Sequence, residues 1–367
     1  MIGLRIKSIK YEVMINLKKL FSFISLFLIT YLIYVYPFDI LLYFLFNESI
    51  VKLSSLYFSI FFTFILIYYF SYRSPFIILR LFVYEGMGIG FLSFWIINLG
   101  ILVNLLLDVK SYYLGLVCIA IIIFFTIKSL IDGRSILLKS IKIFSEKVKK
   151  DYRLIFISDV HLGSNKKDHL EKIYLKLKNI NFDLLLIGGD LIDSSQFDLD
   201  DLIIFKKIKQ PTLYVSGNHE YYIKNSSKIL DSLKKFDIKF LNNQSFKYQN
   251  INIIGISDNE DLESQKLFKN KLIDDKLFNL ILVHKPSLWS FVDQKVDLML
   301  SGHTHNGQIF PFNLIVKLKF KNIYGLYEKL NSKLYVSCGS GCWGPKMRLG
   351  SKNELVQVLI SEKNKSA

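Results

Sequence analysis

The segment that most constrains the fold is Leu298-Met299-Leu300-Ser301-Gly302-His303-Thr304-His305-Asn306-Gly307-Gln308. Its apolar, strand-like beginning stops at Gly302, and two histidines follow with one residue between them. In extended backbone, positions i and i+2 point to the same side. Because neutral imidazole is the commonest side-chain metal ligand, His303 and His305 at a strand end suit metal binding. A polar loop with two solvated histidines is the alternative, and other parts of the chain must decide between them.

Other short apolar runs after Arg153 also end in potential ligand residues. Strand and helix signals alternate there, and some of the later strands follow one another directly, so we expect an α/β fold with layered sheets. Sites of α/β folds gather at the carboxyl ends of strands. The residues that follow these runs are Asp159-Val160-His161, Gly189-Asp190, Gly217-Asn218-His219-Glu220 and His284.

The distribution of histidines favours a shared site. Five of the six histidines fall in these motifs, and only His169, which we place on a helix surface, lies outside them. Solvated loops do not explain five histidines at strand ends beside Asp159, Asp190 and Asn218. The sequence therefore predicts one metal site assembled from separate motifs.

These five motifs, in this order, resemble the calcineurin-like metallophosphoesterase superfamily. The resemblance covers Arg153–Ile360 and implies a sandwich of two β-sheets flanked by helices, with a two-metal site. The segment Ser301–Gln308 and the later Gly339–Pro345 with Arg348 are more narrowly similar to a membrane-associated bacterial subgroup. That subgroup contains phosphohydrolases similar to UDP-2,3-diacylglucosamine pyrophosphatases.

The resemblance also implies roles for individual residues. The oxygen and nitrogen ligands that it implies suit Mn²⁺, Fe or Zn²⁺, and a pair of such ions lowers the pKa of a bridging water and clamps phosphoryl oxygens. His219 is the candidate catalytic residue, which would protonate the leaving oxygen or stabilise charge in the transition state, and its alternative role is to orient Asn218. One metal would take Asp159, His161, Asp190 and His305, and the other Asp190, Asn218, His284 and His303, with Asp190 bridging.

Four further residues have weaker assignments. Asp193 is expected to bind loop backbone or support His161, and Glu220 to pack or cap locally. Arg348 could contact substrate phosphate through its planar guanidinium, or form a structural ion pair. Asn306 stands where the relatives usually carry glycine. Because asparagine tolerates left-handed backbone, we expect the turn to survive there.

The first third of the chain has a different composition. The whole chain is 51% hydrophobic and 15% aromatic, and this excess is concentrated in residues 1–127. Apolar stretches of about 17–25 residues are long enough to span a membrane. We predict a basic tail at residues 1–19 and four transmembrane helices within 20–127. The four spans are Leu20–Tyr36, Leu53–Phe70, Gly86–Leu107 and Tyr112–Ile127.

Basic residues flank these spans unevenly. They precede the first span, lie between the second and third, and follow the fourth, so the positive-inside rule predicts a multi-pass protein with a cytoplasmic N-terminus and catalytic domain. Residues 128–150 are interpreted as a basic amphipathic linker helix, residues 151–361 as the metallophosphoesterase domain, and residues 362–367 as a loose tail. Residues 128–367 carry a net charge of +12 out of a total of +16, which would attract anions.

The prediction that combines these features is a membrane-anchored two-metal phosphohydrolase. It would cleave a phosphoester or pyrophosphate bond through a metal-bridging hydroxide, on a phosphorylated small molecule or a lipid- or nucleotide-linked substrate. One alternative is a membrane sensor or scaffold whose phosphoesterase domain binds ligand without turnover. Another is a membrane-tethered nuclease, although nucleic acid is not the expected partner because no stacking motif supports it.

Overall fold

The computed structural model describes residues 17–50, 52–72, 76–107, 109–194 and 197–363. The chain divides into two compact units, Met1–Lys128 and Ser129–Ala367. The predicted fold class is confirmed, because long apolar helices are followed by two mixed β-sheets flanked by helices. Most of the predicted basic tail lies outside the described residues.

The first unit consists mainly of helices that are long and apolar enough to cross a membrane. At 1.5 Å per residue, even the shortest of them, with 20 residues, reaches about 30 Å, the thickness of the hydrocarbon core. The four predicted spans therefore each correspond to a candidate membrane helix. Within the described residues these helices are α1 (Leu17–Phe46), α2 (Leu53–Tyr72), α3 (Ile77–Leu106) and α4 (Ser111–Arg134).

The first of these helices is longer than its predicted span. Helix α1 passes Pro37 and continues to Phe46, through a π-helical segment at Tyr31–Val35. Proline removes a backbone donor from a helix interior. Here Pro37 stands at the start of the α-helical stretch that follows the π segment, where this loss is tolerated.

Twelve strands of the second unit form two six-stranded sheets in the described residues. The first sheet has the order β1-β12-β2-β3-β4-β5, and the second has the order β10-β11-β9-β8-β7-β6. In chain order the strands are β1 (Ile136–Ser145), β2 (Tyr152–Ile157), β3 (Leu184–Gly188), β4 (Thr212–Val215), β5 (Ile238–Phe240), β6 (Gln244–Tyr248), β7 (Ile251–Ile256), β8 (Phe278–Val283), β9 (Leu298–Ser301), β10 (Gly325–Lys329), β11 (Ser332–Val336) and β12 (Asn353–Glu362).

Helices flank both sheets. The longer ones are α5 (Lys167–Leu177), α8 (Leu262–Leu272) and α9 (Phe312–Lys319), and two short ones are α6 (Asn218–Tyr221) and α7 (Ser226–Ser232). The 3₁₀ segments are Leu199–Lys207, Leu233–Phe236, Pro286–Phe291 and His305–Gly307.

Buried residues on both faces explain the unbroken apolar runs of the central strands. In β2, Leu154 and Phe156 join a core built from residues of both sheets, whereas Ile155 and Ile157 pack with α5 residues such as Leu170. Strand β8 divides in the same way between the shared core and the opposite outer layer. Successive side chains of a strand point to opposite faces, so a sheet covered on both faces needs apolar residues throughout.

The interpretation of residues 128–150 as a linker helix is wrong. Helix α4 ends at Arg134, and β1 then pairs in parallel with β12 over ten positions, from Ile136 to Ser145. The alternation of buried Ile141 and Ile143 with exposed Lys142 has the period of a strand, and β-branched isoleucine favours that conformation. An available edge of the first sheet therefore overrides the helical spacing. Glu362, placed in the loose tail, is the last residue of β12, and residues 364–367 lie outside the described part.

Candidate metal centre

All seven predicted metal ligands follow strand ends, and the structure gathers six of them, all except Asn218, into two clusters. Strands β2, β3 and β4 pair in parallel in the first sheet, and β8 and β9 do so in the second. Their carboxyl ends present the ligand residues at one edge of the sandwich. The clusters there that could hold an ion include Asp159 with His161 and His305, and Asp190 with His284 and His303.

The first cluster joins β2 of one sheet to β9 of the other. The Nε2 atoms of His161 and His305 lie 3.1 Å apart, and Nε2 of His305 is 3.4 Å from Oδ1 of Asp159. The backbone N–H of His303 donates to both carboxylate oxygens of Asp159 at 3.1 Å. The Asp159 carboxylate is therefore oriented by the same turn that supplies the two histidines of the opening segment.

The second cluster is centred on Asp190. Its Oδ2 lies 3.1 Å from Nε2 of His284, and that same Nε2 lies 3.1 Å from Nδ1 of His303. The other ring nitrogen of His284 lies 2.9 Å from the carbonyl oxygen of Gly188, which fixes the ring orientation across the two sheets. A ligating histidine commonly has its second nitrogen held in this way.

In this cluster the negative carboxylates and the imidazoles shift one another's pKa values. Burial opposes protonation of His284, but Asp190 and other carboxylates outweigh it and raise the pKa of His284 to about 10. Burial alone would raise the pKa of Asp190, but His284 and the neighbouring imidazoles hold it well below its ordinary value. A cation among these side chains would take over the compensation that a protonated His284 provides.

The donor set fits divalent metals. The Oδ1 atom of Asn218 is buried and has no hydrogen-bond partner among the described residues. Such an orphaned oxygen is costly unless something else satisfies it. A mixed set of carboxylate, amide oxygen and imidazole suits Mn²⁺, Fe or Zn²⁺ better than Ca²⁺.

Two glycines let the backbone approach the carboxylates. A Cβ on Gly217 would stand 2.1 Å from Oδ1 of Asp190, and a Cβ on Gly302 would stand 2.3 Å from Oδ2 of Asp159. Both distances are far below any normal contact. The two positions therefore keep room for the ligands, one in each cluster.

His219 lies at the rim of the centre. Its Nε2 is 3.8 Å from Oδ2 of Asp190, and its backbone N–H donates to Oδ1 of the same carboxylate at 2.9 Å. Burial lowers the pKa of His219 to about 4, so its ring is neutral at pH 7. A neutral ring at this place can donate a hydrogen bond through one nitrogen.

Asp193 and Glu220 support the ligands from behind. Asp193 lies 3.4 Å from Nδ1 of His161 and accepts a hydrogen bond from the backbone of Ser164, which meets both expectations for it. Glu220 does more than cap locally, because it accepts from the backbone N–H groups of Asp190, Ile192 and Gly217. Burial, reinforced by Asp190, raises its pKa to about 7. It ties two ligand-bearing loops together.

Arg348 is completely buried behind His305. Its guanidinium donates to the carbonyl oxygens of Cys338 at 2.6 Å and Gly341 at 2.7 Å. Longer contacts reach the carbonyl of His305 and the hydroxyl of Ser351. These contacts favour a role in positioning the loop and His305, while the suggested contact with substrate phosphate stays a prediction.

Aromatic side chains surround the centre at positions that the sequence did not single out for contact. The ring centroids of Tyr222 and Trp343 lie 5.7 and 5.8 Å from that of His219, and Phe320 lies 5.2 Å from His303.

His169, expected on a helix surface, is mostly buried and lies 2.7 Å from the carbonyl oxygen of Ser340. Apart from Tyr222, which follows His219 by three residues, these contacts join segments that are separated in the chain, so local spacing does not predict them.

Comparison with known proteins agrees with this geometry. The family model described as calcineurin-like phosphoesterase matches residues 152–307. An uncharacterised metallophosphoesterase of Campylobacter jejuni is 36% identical over 239 residues, which cover 61% of this chain and 63% of that protein. An uncharacterised metallophosphoesterase of Aquifex aeolicus is 32% identical over 234 residues, which cover 60% of this chain and 89% of that protein.

One vertebrate relative is named as a transmembrane protein. A transmembrane protein with metallophosphoesterase domain from Danio rerio is 28% identical over 232 residues, covering 57% of this chain and 53% of that protein. The chain spans slightly under two thirds of the length of the Campylobacter relative. The narrower resemblance to UDP-2,3-diacylglucosamine pyrophosphatases stays a prediction. Matched motifs, converging ligands and these relatives together show that the chain belongs to the calcineurin-like metallophosphoesterase family.

Proposed function

We propose that this chain is a membrane-anchored, two-metal phosphohydrolase that cleaves a phosphoester or pyrophosphate bond. The observation that carries the proposal is the convergence of six carboxylate and imidazole side chains from four strand ends, together with the buried oxygen of Asn218, which has no partner among the described residues. A domain that bound phosphate without turnover would not need this complete set.

Each ligand has a proposed place. Divalent ions bound here would polarise the phosphoryl group and activate water for attack. Asp190 is the proposed bridging ligand. It belongs to the second cluster and accepts a hydrogen bond from the backbone N–H of His219. The first ion would be held by Asp159, His161, Asp190 and His305, and the second by Asp190, Asn218, His284 and His303.

His219 is the proposed catalytic side chain. Because burial lowers its pKa to about 4, we favour stabilisation of phosphoryl charge by a hydrogen bond from the neutral ring over proton donation by a resting imidazolium. Its backbone hydrogen bond to Asp190 holds the ring next to the metal ligands.

The proposed location is a multi-pass membrane protein with its catalytic domain in the cytoplasm. The four candidate helices support the anchor, and the basic flanks support the orientation. The substrate would be a phosphorylated small molecule or a lipid, drawn to a domain with a net positive charge.

Purified full-length chain in detergent tests this proposal. After metal removal, Mn²⁺ should restore turnover of at least one of three substrates, namely a phosphomonoester, a phosphodiester or a UDP-linked lipid. Asp190→Asn should lower this turnover at least ~100-fold, because the ligand shared by both ions loses its charge.

Asp275→Asn is the matched control, since Asp275 is largely exposed and pairs only at the surface with Lys295. It should keep full turnover. Undiminished turnover in Asp190→Asn would contradict the two-metal assignment. A metal-loaded parent that cleaves none of the three classes would favour the scaffold alternative.

A further inference from the structure

Helix α9 borders the metal centre at both of its ends. It begins seven residues after His305, and Gly307 packs so closely against Asn313 that a Cβ would stand 2.3 Å from the Asn313 backbone. Immediately after the helix, Phe320 lies against the ring of His303 at 5.2 Å. Whatever contacts α9 therefore lies next to the proposed phosphate site.

Helix α9 exposes an apolar face, unlike most surface helices. Surface helices turn their apolar stripe toward the core and their polar residues toward water. In α9 the half-buried positions are Asn313 and Val316, whereas Leu314, Ile315 and Leu318 are 53%, 48% and 88% exposed. At 100° per residue these three lie together on one outward face. None of the eight residues of α9, all of them described, is buried.

The apolar surface continues toward the site. Phe310, just before the helix, is 52% exposed, and Trp343, which lies against His219, is 54% exposed. The Gln308 side chain hydrogen-bonds to both the backbone N–H and carbonyl of Trp343, so the two segments are held side by side. Exposed apolar side chains grouped in this way are typical of an interaction surface.

The charges beside this surface identify its partner. Lys317, Lys319 and Lys321 are all exposed, and the stretch from Leu298 to Tyr327 contains no Asp or Glu. Large apolar side chains beside lysines, without acidic residues, are the pattern of helices that lie in an anionic lipid surface. Two copies of such a basic face would repel each other, and the chain's own candidate membrane helices provide a bilayer.

We propose that α9 is an interfacial helix whose outward face, formed by Leu314, Ile315 and Leu318 with the neighbouring Phe310, inserts into the headgroup region of an anionic bilayer. The phosphate cleaved at the adjacent metal centre is then carried by a lipid in that bilayer. The second statement rests on the proposed phosphohydrolase function, and the first does not.

A nitroxide probe on the full-length chain tests the insertion. The chain carrying Leu318→Cys is spin-labelled and reconstituted into vesicles of three parts phosphatidylcholine and one part phosphatidylglycerol. Collisions with lipid-soluble oxygen and with a water-soluble nickel chelate are then measured. Leu267→Cys, at an exposed position of α8, is the matched control. The labelled parent chain gives the background signal from the native cysteines, which are buried.

We expect an oxygen-to-chelate collision ratio severalfold higher at position 318 than at position 267. Equal ratios would overturn the insertion. Spin–spin broadening at position 318 that disappears on dilution with unlabelled chain would also overturn it, because a second copy of the chain would then cover the helix.

Enzyme assays test the lipid substrate. The double variant Leu314→Asp, Leu318→Asp should cleave a water-soluble phosphodiester at the parent rate. Its turnover of phosphatidylglycerol phosphate embedded in vesicles should fall roughly tenfold or more, because the two charges oppose insertion into an anionic surface. Leu267→Asp is the control.

The outcomes separate the two proposals. A parent that cleaves the soluble ester but no lipid-borne phosphate would overturn the lipid substrate. Equal loss on both substrates in the double variant would also overturn it. A parent that cleaves nothing would contradict the phosphohydrolase function, while the collision measurement would still decide the insertion.

Discussion

Several of the predicted metal ligands have a strained backbone conformation. Asp159, His161, Asp190, His303 and His305 all have φ between 49° and 73°, in the left-handed region that side-chain-bearing residues avoid. Such conformations persist only where the surroundings over-determine them, and they cluster at functional sites. Asn306, with φ 51° and ψ 34°, confirms that asparagine tolerates the left-handed turn expected there.

A substitution at Gly302 tests how closely the backbone approaches Asp159. In Gly302→Ala the new methyl group would collide with Oγ of Ser158 and Oδ2 of Asp159, so the Asp159 carboxylate must move. We expect about 10- to 100-fold weaker metal binding, as for other changes that misorient a ligand. Titration of metal-free protein with Mn²⁺ measures this. Ser301→Ala, one residue earlier and without added atoms, is the control, and parent-like affinity in Gly302→Ala would refute the steric argument.

Arg348 gives a second prediction. Arg348→Met leaves buried carbonyls of Cys338 and Gly341 without donors, so the free energy of unfolding should fall by about 2–4 kcal/mol. Thermal unfolding in detergent, together with KM and kcat, measures the effect. Exposed Arg153→Met should unfold like the parent. If Arg348→Met instead raised KM with an unchanged unfolding midpoint, a direct substrate contact would replace the positioning role.

At the scale of elements, strand β1 shows how an apolar segment finds its place. Its sequence holds enough isoleucine and leucine for an amphipathic helix, yet ten of its residues pair with β12. The edge of a sheet supplies backbone partners that no local pattern reveals. Residues 136–145 therefore belong to the first sheet of the second unit.

Two substitutions in β1 distinguish a strand from a surface helix. Ile143 is only 2% exposed, so Ile143→Ala should destabilise the domain by about 2–5 kcal/mol. Leu138, which is 47% exposed, should tolerate alanine at a cost below about 0.5 kcal/mol. Chemical unfolding followed by intrinsic fluorescence compares the two. Equal tolerance at both positions would argue against the strand.

For the whole molecule, the candidate metal centre lies where the two sheets meet. Predicted ligands after β2 and β3 meet predicted ligands after β8 and β9, and His284 reaches across to the Gly188 carbonyl. Ions bound between the sheets would therefore stabilise the folded domain and not only the site. Binding to the folded state alone adds about 2.7 kcal/mol at a ligand concentration 100 times Kd.

Chelation tests this coupling. Removing metal from the full-length chain should lower its unfolding midpoint by ~5–10 °C, and Mn²⁺ should restore it. Asp190→Asn should show a much smaller response, whereas Asp275→Asn should respond like the parent. A midpoint that is unaffected by chelator in a chain shown to bind metal would disprove the stabilisation across the sheets.

The sequence by itself determined the ligand types, their order and the class of fold. Motifs such as Gly302-His303-Thr304-His305 are local, because a strand end and a glycine suffice to present two imidazoles, and an apolar span of about 20 residues is likewise visible in one stretch. Only the tertiary structure decided that residues 136–145 form a strand, that Arg348 is buried behind His305, and that Leu314, Ile315 and Leu318 face outward. Each of these features depends on which surface is covered by a segment distant in the chain. Residue spacing within one segment does not predict such contacts.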